Sequence, residues 1–291
     1  LERRDDEVRK TMSSPATVGA YGFRLEGAGE RLLQPVSAEW PLIRVVQHVS
    51  EPLFEPKLEI GDRRAIVPLI GGGRATVNRD PPEAVFNLQR LLSEDEIAHP
   101  YLGPVAALHA HWLGRATFHG GALLLGERAF GLLGSRQAGK SSLLAEANRR
   151  GIPVLADDLL VVEGQNVFAG PRSLDLREPA ARHFGMGRPL GVTGLRERWR
   201  VDLEEVPNRA PLAGWIFLNS SAVTIRPVGA AERLAWLASN RSVKVNPADP
   251  SPLLGLAALP AIELSRADTW NELSELFDAL VEAISRPETL G

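Results

Sequence analysis

The pattern of apolar and polar positions through residues 17 to 80 reads as β-rich. Tyr21-Gly22-Phe23-Arg24-Leu25 alternates, and Ile43 to Val49 is rich in β-branched residues. Leu58-Glu59-Ile60 and Ala65 to Ile70 flank Gly61-Asp62, which predicts a hairpin; Gly71-Gly72-Gly73 predicts the next turn, before Ala75-Thr76-Val77. The region reads as a small sheet with no visible chemistry. Pro81-Pro82-Glu83 then predicts a helix start, running to about Leu92. A second helix is expected from about Ile97 to Leu113, interrupted near Gly103-Pro104.

From Thr117 the pattern becomes that of an α/β core. Two apolar strands flank a turn at Gly126-Glu127-Arg128, the second being Ala129-Phe130-Gly131-Leu132-Leu133. Leu143, Leu144 and Ala147 then recur at helical spacing, and Arg149-Arg150-Gly151, with Pro153 beyond, marks the stop. Ile152 to Val162 is a further strand region. Residues 164 to 203 are rich in glycine and arginine and read as mostly solvated loops, with Arg172 and Arg196-Glu197-Arg198-Trp199-Arg200 as sources of a substrate-binding arginine. Leu212 to Leu218 and Ala222 to Arg226 read as a hairpin across Asn219-Ser220-Ser221, followed by a helix from Ala230 to Asn240 and a strand at Ala261 to Leu264. The last helix opens with a capping box, Thr269 and Glu272, and carries Leu273, Leu276, Phe277, Leu280, Val281 and Ile284 on one stripe. The expected organisation is a flexible extension (1–16), a β-rich module with a connector helix (17–95) and a catalytic α/β domain (96–291).

Composition narrows the classes. At 291 residues with 44% hydrophobic and 24% charged, the chain suits an ordinary globular protein. A net charge of −3 predicts no nucleic-acid partner, and the absence of cysteine excludes disulfides and thiolate metal sites. His109 and His111 lack metal-ligand spacing on a helix and are read as non-metal. The charged opening Leu1-Glu2-Arg3-Arg4-Asp5-Asp6 has no apolar segment of a signal peptide; Met12 is a plausible natural start. No apolar run is long enough for a membrane helix, so the expectation is a cytoplasmic protein without a membrane partner. Homo-oligomerisation is left open.

The chemistry centres on Gly134-Ser135-Arg136-Gln137-Ala138-Gly139-Lys140-Ser141, a complete G-x-x-x-x-G-K-S phosphate loop between a predicted strand and a predicted helix. Such a loop points backbone N–H groups at phosphate oxygens, and the helix start adds its free N–H groups and partial positive charge. Gly134 to Ser142 are therefore the candidate nucleotide-binding residues. Lys140 would bridge the outer phosphates, and the Ser141 hydroxyl would ligate Mg²⁺, a hard cation that favours oxygen.

A phosphate loop does not name a reaction. There is no Asn-Lys-x-Asp and no Leu-Ser-Gly-Gly-Gln, the marks of common GTPases and transporter ATPases. In the segment Val154-Leu155-Ala156-Asp157-Asp158, Asp157 follows the loop lysine Lys140 by seventeen residues. An apolar strand ending in Asp is the usual second element of these sites. Two carboxylates suggest a division between proton acceptance and the metal shell, but they reach one site only if the strand ends there. The alternative is that one of them caps a turn. His119 lies fifteen residues before Gly134, where paired strands would return it to the phosphates.

Together, His119-Gly120, Gly139-Lys140-Ser141, Gly151 and Leu155-Ala156-Asp157-Asp158 resemble the catalytic domain of HPr kinase/phosphorylase. The resemblance covers residues 105 to 163 and continues weakly to about 285. It implies a P-loop fold of the HPr kinase/phosphoenolpyruvate carboxykinase type, ATP and Mg²⁺ as cofactors, and transfer of phosphate to a serine hydroxyl. By position it implies Asp157 as general base, Asp158 and Ser141 on the metal side, and His119 and Lys140 in the active site. The chain departs from the family in having Ser142 where the family has Glu, and in lacking matches to its Glu-Ile-Arg-Gly and Gly-Arg-Asn segments. It looks more like stand-alone relatives, some of which phosphorylate lasso-peptide precursors, and little phosphorolysis is expected. The leading expectation is a kinase acting on a serine of a peptide or protein. A nucleotide-binding regulatory protein and a small-molecule kinase are the alternatives.

Overall fold

The computed structural model describes residues 17–50, 57–70, 72–219, 225–244, 251–265 and 269–285. The expected extension and Met12 lie outside them.

The first quarter forms one eight-stranded sheet: β1 (Val18–Ala20), β2 (Phe23–Glu26), β3 (Gln34–Pro35), β4 (Leu42–Val49), β5 (Glu59–Ile60), β6 (Arg64–Pro68), β7 (Arg74–Asn78) and β8 (Glu83–Leu88). Their spatial order is β3-β1-β2-β4-β8-β7-β6-β5. The hairpin at Gly61-Asp62 is present, with Glu59 opposite Ile66. The expected helix at 81–92 is not. Glu83 to Leu88 is a strand, parallel to β4 and antiparallel to β7. Ala84, Phe86 and Leu88 are buried and alternate with half-buried neighbours, the pattern of a strand. Two flanking strands outweighed the helix-start signal of the prolines.

The connector is a helical segment in three pieces: α1 (Glu94–Glu96), a wide turn at Ile97–Tyr101, and α2 (Leu102–Trp112). Its break falls at His99, which is extended (φ −155°, ψ 126°) ahead of Pro100. It does not fall at Gly103-Pro104, because Pro104 sits in the first turn of α2, where a missing N–H costs nothing. His109 is buried beside Phe23 and Trp112.

The second sheet contains β9 (Ala116–Leu125), β10 (Arg128–Gly134), β11 (Val154–Ala156), β12 (Leu159–Glu163) and β13 (Asn166–Phe168). A small third sheet follows: β14 (Ser173–Leu176), then α4 (Glu178–Phe184), β15 (Arg188–Thr193) and β16 (Arg196–Asp202), in the order β14-β16-β15. The region 164–203, expected as solvated loop, is thus strand and helix, with Arg172 and Arg200 buried in it. The last strands of the second sheet are β17 (Arg209–Asn219), β18 (Ile225–Pro227) and β19 (Ala261–Ser265), accompanied by α5 (Ala230–Ser239), α6 (Ser251–Ala257) and α7 (Trp270–Ser285); α3 (Lys140–Arg149) follows β10. The hairpin expected across 219–221 does not form. β18 pairs with β19, and β19 lies between it and β17, running parallel to β17. Residues 220–224 themselves fall outside the described residues.

β10, β17 and β19 run parallel and present their carboxyl ends on one edge. Side chains alternate between two cores. Phe130, Leu132, Ile216, Leu218, Ile262 and Leu264 face α3 and α7 on one side. Ala129, Leu133, Trp215, Phe217 and Ala261 share the other with residues of α5 and α6. Helices on both faces of a sheet make the fold mixed α/β. The capping box at Thr269 and Glu272 is made, and Leu273, Leu276, Phe277, Leu280 and Ile284 are buried. A third core joins the first sheet to α2 and to Leu159, Val161 and Phe168 of the second, so the β-rich region packs directly on β12, the strand that follows the aspartates.

Candidate active site

The phosphate-loop sequence connects β10 to α3 across the carboxyl edge of the sheet. Gly139 has φ +97° and precedes α3, a conformation open to glycine and costly for other residues. The first turn of α3 is Lys140-Ser141-Ser142, with its N–H groups unspent at the helix start. Lys140 Nζ donates to the carbonyls of Gly134 at 2.7 Å and Ser135 at 3.0 Å, folding the side chain over its own loop. Burial lowers its pKa, against the pull of Asp157 and Asp158. Past Arg149 the helix stops at Gly151, which takes φ +74°.

Asp157 and Asp158 sit where the strand breaks, between β11 and β12. Asp158 has φ +66°, and this kink turns both carboxylates into the same cavity. The condition for a two-carboxylate site is therefore met. Arg172 anchors the strand behind them: its guanidinium donates to the carbonyls of Val154 at 2.7 Å, Leu155 at 3.2 Å and Glu204 at 2.9 Å. Turned inward and saturated, Arg172 is a support for the aspartates and faces no ligand.

Antiparallel pairing sets Gly120 of β9 against Leu133 of β10, which brings His119 beside the loop. Its Nδ1 lies 3.0 Å from the Asp158 carbonyl oxygen and 3.3 Å from Oδ1. Three further groups complete the site and were not singled out from sequence. His99, at the break of the connector, has Nδ1 3.7 Å from Asp158 Oδ2 and Nε2 3.9 Å from Asp175 Oδ2. Asp175 on β14 donates its N–H to Asp157 Oδ2 at 3.4 Å. Its carboxylate is held by Arg200, whose Nη2 donates at 3.1 Å and whose Nε also donates, and by Arg198 at 3.4 Å. Arg200, 1% exposed, also donates to the Asp95 carbonyl at 3.1 Å, so one guanidinium ties β14 to the connector. Tyr21, buried in the first sheet, closes the back of Asp157 in a void of about 10 Å³ shared with His99, Ser173 and Asp175. The only sequence hint of these groups was the arginine density of 196–200.

The electrostatics separate the two aspartates. Burial, with Asp158 and Asp175 nearby, pushes Asp157 up to about 7. Burial also acts to raise Asp158, but His99, His119, Arg198 and Lys140 outweigh it and hold that carboxyl below the usual range. The two adjacent carboxyls are thus set apart, one favouring its protonated form and the other its ionised form.

The cavity between these walls measures about 610 Å³. Of the candidate residues, His119, Arg136, Gln137, Ala138, Gly139, Lys140, Ser141, Ser142, Asp157 and Asp158 line it. Gly134 and Ser135 do not; their carbonyls accept from Lys140 instead. Among the described residues no group of three or more His, Asp or Glu side chains is arranged to hold a metal ion. The Ser141 hydroxyl and the aspartates nevertheless offer the hard oxygen donors that Mg²⁺ takes alongside phosphate and water.

No family model matches the sequence, and no curated protein matches it. Among solved structures the chain is similar to the Hpr(Ser) kinase/phosphatase from Coxiella burnetii, at 17% identity and a TM-score of 0.30. That match covers 58% of this chain and 95% of the other. Among the described residues no helix is long and apolar enough to cross a membrane.

Proposed function

We propose that the protein is an ATP- and Mg²⁺-dependent kinase of the HPr kinase-like type, transferring the γ-phosphoryl group to a hydroxyl, most simply a serine of a peptide or protein. Lasso-peptide precursors are one such class of acceptor. The observation that carries the reading is geometric: the kink at Asp158 turns Asp157 and Asp158 into the cavity lined by the loop residues Arg136 to Ser142, where burial raises the Asp157 carboxyl. A sensor of nucleotide needs no such base.

In this reading the loop N–H groups, the start of α3 and Lys140 bind and orient the phosphates. Ser141 and Asp158 would hold Mg²⁺, which neutralises phosphate charge when bound. Asp157 accepts the acceptor's proton, a contribution of typically about 10²–10⁴-fold. Asp175 orients Asp157 through its backbone N–H. His119 and His99 flank Asp158 and favour its ionised form.

The test is incubation with γ-labelled ATP, Mg²⁺ and a set of serine peptides, with Asp157→Asn as control. Label in a peptide, lost in the variant, supports a kinase. Tight Mg-ATP binding with no transfer to any peptide or small hydroxyl compound would favour the regulatory reading.

A further inference from the structure

Three arginines of β16 lie at alternate positions and so on one face of the strand: Arg196, Arg198 and Arg200. Going outward, Arg200 is spent on Asp175 and Asp95, and Arg198 on Asp175. Arg196 has no carboxylate left. It lines the cavity, as does Arg177 at the start of α4, and neither makes an ion pair or a side-chain hydrogen bond among the described residues. The acidic groups nearby are already engaged: Asp158 faces His99 and His119, and Glu178 pairs with Arg182. Glu197, also on the rim, occupies the opposite face of β16 by alternation. Arg136 approaches from the phosphate loop, and with Arg177 and Arg198 it repels Arg196 enough to lower its pKa. A chain of net charge −3 thus gathers Arg136, Arg177 and Arg196 at one cavity, and among the described residues Arg177 and Arg196 are held by no ion pair.

We propose that Arg177 and Arg196 form a subsite for an anionic group on the acceptor, so that the hydroxyl substrate is an acidic peptide. The identity of the anion's carrier as the acceptor rests on the kinase reading; the anion site does not. The nucleotide phosphates have their own partners in the loop N–H groups and Lys140. Arg177 and Arg196 stand on the wall built by the third sheet, next to Asp175 and the proton-accepting side of the cavity. Guanidinium forks suit a carboxylate, and a partly enclosed site strengthens the pairing. The same hairpin turn exposes Val192 (71%) and Leu195 (78%), and Ile70, in the turn after β6, lies next to Gly194. Exposed apolar surface at the hairpin turn beside Arg196 fits a peptide better than a small anion.

The test uses the full chain saturated with Mg²⁺ and a non-hydrolysable ATP analogue. Fluorescent serine peptides flanked by Asp and Glu are compared with their Asn and Gln counterparts by anisotropy. The acidic peptide should bind at least about ten-fold tighter, as expected for one or two charge-assisted contacts. Arg196→Gln and Arg177→Gln should each remove most of that preference while the nucleotide affinity stays within about two-fold, which also shows that the variants are folded. Equal binding of the two peptides overturns the proposal. So does a variant that loses nucleotide and keeps peptide, since the arginines would then serve the γ-phosphate. Transfer is read separately with labelled ATP. Acidic peptide bound but never phosphorylated would keep the subsite and sink the kinase reading. Acidic and neutral peptides phosphorylated with equal kcat/KM would keep the kinase and sink the subsite.

Discussion

Replacing Asp157 by Asn should stabilise the protein while slowing the proposed phosphoryl transfer. The native state raises this carboxyl from an ordinary 3.8 to about 7, through burial and the neighbouring Asp158 and Asp175. Between those values the folded protein keeps a proton that the unfolded chain has released. The sign follows: stability falls as pH rises through this window. The full cost above pH 7 is about 4 kcal/mol, of which roughly 2 to 3 kcal/mol accrues between pH 5 and pH 8. Asn carries no charge to desolvate, and its carbonyl oxygen can still accept from the Asp175 N–H. The thermal midpoint of Asp157→Asn should therefore exceed that of the parent by several degrees at pH 8, at about 2 °C per kcal/mol for a chain of this size. The gap should shrink at pH 5 and close near pH 3.5. The assay is calorimetry of the nucleotide-free proteins across that range, with single-turnover transfer at saturating Mg-ATP alongside. Transfer should fall by roughly two orders of magnitude or more. A midpoint difference that does not change with pH would refute the raised pKa, and transfer at the parent rate would show that Asp157 is not the base.

Lys140→Ala should weaken Mg-ATP binding severely without unfolding the chain, because its only hydrogen-bond partners among the described residues are the nearby carbonyls of Gly134 and Ser135; unchanged affinity by calorimetric titration and unchanged turnover would move the site elsewhere. Asp158→Asn should bind nucleotide but require more Mg²⁺, seen as a rightward shift of the Mg²⁺ dependence of transfer; a shift in Asp157→Asn instead would exchange the two roles. Gly131→Ala should destabilise by about 1–3 kcal/mol in chemical denaturation, since the added Cβ would fall 2.5 Å from the ring of fully buried Trp215; an unchanged midpoint would mean that the indole can move.

The strand, loop and helix around Lys140 were legible because what defines them is local: an apolar strand, glycines, Lys-Ser and a helix with its stop lie within about twenty residues. The pair Asp157-Asp158 was legible as a strand ending in carboxylates, though only the kink at Asp158 decides that both enter one cavity. The misreadings share a cause. Residues 83–88 carry apolar positions compatible with either period, and pairing between β4 and β7 selects the strand. Neighbouring segments 212–218 and 225–227 could pair as a hairpin, but β19, arriving from 261, takes the position between them.

The sequence by itself determined the elements whose stability is short-range, and with them the nucleotide-binding candidates, His119 and the two aspartates. Tertiary structure alone decided which distant groups surround them: Tyr21 and His99 from the first third of the chain, and Asp175, Arg177, Arg196, Arg198 and Arg200 from the small third sheet. It also set the aspartates apart in acidity, because desolvation and the sum of neighbouring charges depend on what packs within a few ångströms, whatever its place in the chain.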